Sequence, residues 1–145
     1  MPHIDIANRR KMPRVNTMWV KNIAKQILLG LDLADAELSV SLVGDAEIHA
    51  LNKQWRHKDK PTDVLSFAHA EAGMPGPSHH LGDVVVSMDT AAVQAERIGH
   101  SLEDEVVRLL IHGVLHLVGY DHVHGGVQAR NMKREEERLL LACCK

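Results

Sequence analysis

Residues 101–118, SLEDEVVRLLIHGVLHLV, constrain the fold more than any other part of the chain. At about 100° per residue of an α-helix, Glu105, Arg108, His112, His116 and Gly119 fall within a sector of roughly 80°. Around the rest of the circumference lie Val106, Val107, Leu109, Leu110, Ile111, Val114, Leu115, Leu117 and Val118. A helix that is apolar over most of its girth has to be buried on most sides. It needs partners around it, and only its narrow polar stripe can meet solvent.

The remaining chain supplies those partners. His3 to Ala7 alternates and predicts a short strand. A helix over about residues 18–31 follows, with Thr17 as its expected cap and Ile23, Ile27, Leu28 and Leu31 on one side. Residues 38–43 predict a second strand, and Asp45 is the expected cap of a helix running to about Trp55. Residues 63–68 predict a third strand. Residues 70–80 hold two glycines and two prolines and predict an exposed loop or hairpin connection. Residues 84–88 are apolar enough for a central strand. Asp89 then caps a helix to about Ile98, Gly99 ends it, and Ser101 with Asp104 opens the histidine helix. After Gly125 and Gly126 a last helix covers about residues 127–143. The expected architecture is a single compact α+β domain over residues 1–145, with about four strands in a mixed sheet and about five helices.

Composition narrows the class. Hydrophobic residues at 45% and charged ones at 25% are globular values, and the 3% aromatic share leaves the core to aliphatic side chains and methionine. No apolar run approaches the roughly 20 residues of a membrane span. The opening MPHIDIANRRKMP lacks the apolar core of a secretory signal. The only cysteines, Cys143 and Cys144, are adjacent and terminal, which suits a reducing compartment and a frayed end. A cytoplasmic protein is expected. The net charge of −2 argues against binding nucleic acid by bulk charge, although local basic patches remain open.

Within the polar stripe His112 and His116 stand four residues apart, which stacks two imidazoles close enough to share one cation. Gly119 can adopt a left-handed conformation and turn the chain back, so that His122 supplies a third ligand. A lone histidine on an apolar helix is usually a hydrogen-bonded core residue. The whole register, His-x3-His-x2-Gly-x2-His, points instead to metal. Three neutral ligands leave the ion its double charge and an open fourth position, a catalytic more than a structural design. Metzincin zinc proteases share the spacing, but their glutamate base is replaced here by Gly113. Asp121 is a candidate either to take the place of that base or to orient an imidazole.

The longer string Arg108 to His122, RLLIHGVLHLVGYDH, resembles the YbeY family of bacterial endoribonucleases, also called rRNA maturation factors. Two further segments agree with that family: Asn52-Lys53-Gln54-Trp55-Arg56 with Lys58 and Pro61 to Phe67, and Leu81 to Ser87. The match covers about residues 52–122, with Trp55 standing where many members carry tyrosine. The resemblance implies a metal-dependent, single-strand-specific ribonuclease acting on ribosomal RNA, notably the 3′ end of the small-subunit RNA, and in ribosome quality control. It implies one zinc ion on His112, His116 and His122, and a functional role for Arg56. The implied partners are single-stranded RNA, ribosomal RNA and the small ribosomal subunit, with neither membrane nor DNA.

In that chemistry an arginine at position 56 stabilises charge growing on the phosphate, and Gly113 is expected to leave room beside the metal. Lys53, Lys58 and the arginines near the N-terminus are weaker candidates for phosphate contacts. Trp55 can stack a base or belong to the core. His57, His69, His79 and His80 are expected at the surface or just behind the site's ligands, His124 as an exposed neighbour of His122 within reach of the site, and Glu135 to Glu137 on a solvated helix face. Two other classes stay open: a metzincin-like zinc peptidase, and a ribosome-associated factor whose metal is mainly structural.

Overall fold

The computed structural model describes residues 2–10, 12, 15–69, 80–120 and 126–143. Alternating apolar and polar residues draw four segments into one sheet: β1 (His3–Asn8), β2 (Glu37–Val43), β3 (Val64–Ala68) and β4 (His80–Ser87). Their spatial order is β1-β2-β4-β3. The first two pairings are parallel, and β3 runs antiparallel to β4 at the sheet's edge. Register places Ile6, Val40, Val84 and Ser66 in one row across the sheet. Because side chains alternate along a strand, the whole row faces the same side.

That side carries the main core. It is covered by α1 (Thr17–Gly30) and α4 (Leu102–Leu117), with α5 (Gly126–Cys143) packed on both helices and α3 (Met88–Ile98) against α4. Val106, Leu110, Val114 and Leu115 of α4 are fully buried there together with Leu38, Val40 and Val84. The opposite face is covered by α2 (Asp45–Arg56), where Ile48 meets Val43, Leu65 and Val85. The mixed four-stranded sheet with five helices is the α+β architecture expected from the sequence. Among the described residues no helix is long and apolar enough to cross a membrane.

Three helix starts differ from expectation. The cap of α1 is Asn16, whose Oδ1 accepts from the amides of Met18 and Trp19, and not Thr17. Ser87, not Asp89, caps α3 by accepting from Thr90 N. Gly44 occupies the cap position of α2 without a side-chain bond. Asp45 and Asp89 instead tie two helix starts together. Asp89 Oδ2 accepts from Asp45 N, while Asp45 Oδ1 accepts from the hydroxyls of Ser87 and Thr90. Strand β4 starts at His80, four residues earlier than the apolar run suggests, because His80 to Asp83 find partners on β2 and β3. Cys143 is buried in the main core, where a frayed end was expected; Cys144 lies outside the described residues.

Candidate functional site

Helix α4 opens on Ser101, whose hydroxyl accepts from Asp104 N at 3.0 Å. Its polar stripe begins buried. Glu105 is 0% exposed and accepts from Arg108 Nε at 2.9 Å, with His100 Nε2 2.8 Å from the same carboxylate oxygen. A buried carboxylate needs such partners, since an unpaired one costs several kcal/mol. Hydrogen bonding to Glu105 is the first cause that raises the Arg108 pKa further, with Asp63 and Glu136 adding to it.

Farther along the stripe the helix reaches a cleft of about 710 Å³, lined on this side by His112, His116 and Leu117. The two imidazoles meet edge to face with Nε2 atoms 3.0 Å apart. At its end α4 closes as a Schellman turn. Tyr120 N donates to Leu115 O, Gly119 N donates to His116 O, and Gly119 takes φ 102°. The helix therefore stops at the glycine expected to stop it.

Gly113 is not among the residues that line the cleft. A Cβ there would lie 2.7 Å from Val84 Cγ1, 3.2 Å from Ser66 Oγ and 3.3 Å from Val64 Cγ2. The glycine lets α4 settle directly on the sheet, and Ser66 Oγ donates to Gly113 O at 2.7 Å. Its bare backbone thus serves packing rather than giving space to a substrate. Nor is there room at this position for a glutamate base.

The opposite wall comes from the end of α2, the loop after it and the free edge of β3. Arg56 is partly buried there. Its Nη2 donates to Ser66 O at 2.6 Å, and its guanidinium lies 4.8 Å from the centre of the Phe67 ring. His57 takes a left-handed φ of 59° and turns the chain back after α2. Buried Asn52 donates to Lys60 O at 2.9 Å, which folds the loop so that Lys58 and Lys60 both line the cleft. Asp63 lines it too, with its carboxylate accepting from Val64 N and Gln94 Nε2.

Of the weaker candidates, Lys58 reaches the cleft. Lys53 stands 3.9 Å from Asp59, Arg9 pairs with Glu47 and Arg10 with Asp89, all away from it. Lys11 and Arg14 lie outside the described residues. Trp55 is 56% exposed, so it is not a core residue, and its ring meets Phe67 edge-on. His69 Nε2 and His80 Nδ1 are shielded from solvent with their rings 4.7 Å apart, so neither is a plain surface residue. Asn52 and Ser66 lie inside the motif segments and Lys60 beside them, but their place at the cleft depends on the folded loop and the sheet edge.

Among the described residues no group of three or more His, Cys, Asp or Glu is placed to hold a metal ion. His122, the third expected ligand, lies outside them, as do Asp121, His124 and His79. The two described histidines suit a zinc-type ion. Nitrogens about 2.0–2.1 Å from a tetrahedral zinc sit roughly 3.4 Å apart, close to the 3.0 Å seen here.

Comparison with known proteins bears on this geometry. A family model described as "Endoribonuclease YbeY" matches residues 4–143. The protein of that name from Aquifex aeolicus is 47% identical over 130 residues, covering 90% of this chain and 85% of the relative. Its counterpart from Geobacter metallireducens is 42% identical over 139 residues, covering 94% and 92%. A Thermotoga maritima protein of known solution structure superposes with a TM-score of 0.67 at 27% identity, covering 97% of this chain and 88% of that one.

Proposed function

Because the chain belongs to the YbeY endoribonuclease family, we propose that it is a zinc-dependent, single-strand-specific endoribonuclease. Its substrate in this reading is ribosomal RNA, at the 3′ end of the small-subunit RNA and in ribosome quality control. It works in the cytoplasm on the small subunit. The observation that carries the chemistry is the shared cleft, with the Nε2 pair of His112 and His116 on one wall and Arg56 on the other.

His112, His116 and His122 would hold the ion, which when bound supplies Lewis-acid chemistry to a phosphodiester. The protein's own part is positioning and charge. Arg56 is steadied by Ser66 O and Phe67, so its positive charge is set in place before substrate arrives. Lys58 and Lys60 add cations along the path of the RNA backbone. A peptidase needs a general base, and position 113 has no room for one. That observation disfavours the metzincin-like alternative.

RNA cleavage by highly purified wild type, His116→Ala and Arg56→Ala tests the reading. Both variants should lose cleavage, while zinc should stay stoichiometric in Arg56→Ala and be lost in His116→Ala. Equal residual cutting by all three would mark a contaminating ribonuclease and sink the enzyme assignment. A fourth protein ligand closing the metal's coordination would favour a structural role instead.

A further inference from the structure

Helix α5 buries a stripe made of Met132, Leu139 and Cys143. Positions 132, 136, 139 and 143 fall on one helical face, so a carboxylate, Glu136, sits inside that stripe where packing alone would favour an apolar side chain. It points at α4: Glu136 Oε1 lies 3.4 Å from His112 Nδ1, with side chains 25% and 23% exposed. A carboxylate only accepts hydrogen bonds, so an imidazole nitrogen facing it has to carry the proton. A neutral imidazole protonated at Nδ1 keeps its lone pair on Nε2, and His112 Nε2 is the atom turned toward His116.

We propose that Glu136 is a positioning residue that holds His112 as the Nδ1–H tautomer, with the Nε2 lone pair presented to the metal. The inference rests on the reading that these histidines bind zinc. In the metal-free protein it makes His112 Nε2 the acceptor and His116 Nε2–H the donor across their 3.0 Å contact. A single proton then lies between the two nitrogens.

The test uses the full chain as wild type, Glu136→Ala and Glu136→Gln. Alanine favours helix, so the fold should stand, as checked by circular dichroism. Histidine side-chain 15N shifts of the metal-free proteins, at about pH 8 where imidazoles are neutral, read the tautomer directly. The wild type should show His112 protonated at Nδ1, and Glu136→Ala should move it toward Nε2–H. Zinc affinity by chelator competition should fall roughly 10–100-fold in Glu136→Ala. Glu136→Gln keeps an acceptor and should fall between the two. The same His112 tautomer in Glu136→Ala as in wild type overturns the proposal. A tautomer change in a protein that binds no zinc would uphold the Glu136 assignment and remove the metal reading beneath it.

Discussion

Gly113 changes meaning between the string and the structure. Beside His112, a residue with no side chain reads as a missing base and an open space. In the fold it is packed against Val84, Ser66 and Val64. Val84 is fully buried and stiff at χ1, so it cannot yield to an added methyl group. Overpacking of this kind costs about 1–3 kcal/mol, against about 1 kcal/mol gained from alanine's helix propensity. Gly113→Ala should therefore lower stability by about 1 kcal/mol in urea unfolding, and Gly113→Glu should lower it far more without conferring peptidase activity. An alanine variant as stable as wild type would contradict the packing role. Glu136 changes meaning in the same way. The run Glu135 to Glu137 reads as a solvated face, yet its middle member turns inward to His112 while Arg138 pairs with Glu135.

At the scale of elements, periodicity and glycine placement were legible, and partners were not. The polar stripe of α4, the stop at Gly119 and the stop of α3 at Gly99 follow from local sequence, because each depends on residues within one or two turns. Helix caps look equally local but were displaced at three starts. At α1 two adjacent residues could each cap, and Asn16 does so because its Oδ1 reaches two amides. Asn16→Ala should cost about 1 kcal/mol, and Thr17→Ala only a few tenths. Equal melting shifts for the two would reverse that assignment. The Asp89 carboxylate was drawn to Asp45 N, across 44 residues of chain, and the Asp45 carboxylate to the hydroxyls of Ser87 and Thr90. Such a pairing leaves no mark on either local segment.

For the whole molecule, the net charge of −2 and the chemistry of the cleft point in opposite directions. Elsewhere several basic side chains are taken up by acids, as Arg9 is by Glu47 and Arg10 by Asp89. At the cleft Arg56, Lys58 and Lys60 gather against Asp63 alone among its lining carboxylates in the described residues. RNA binding should therefore depend on salt only as three local cations require. The logarithm of affinity should fall against the logarithm of salt with a slope of about −2 for a single strand. A slope several-fold steeper would place the interface on a wider basic surface than this cleft.

The three motif segments pointed to the YbeY family, and the family comparison bears that out over nearly the whole chain. Sequence by itself also determined the buried histidine helix, the spacing of His112 and His116 and the glycine that stops the helix after them. These rest on helical geometry, which repeats within a few residues and is written locally. Only the tertiary structure decided that Gly113 packs on the sheet, that Cys143 is core and that Glu136 faces His112. It also decided that Arg56 shares a cleft with the histidine pair. Each of those depends on groups far apart in the chain, brought together by how the helices and the edge of β3 settle on one sheet.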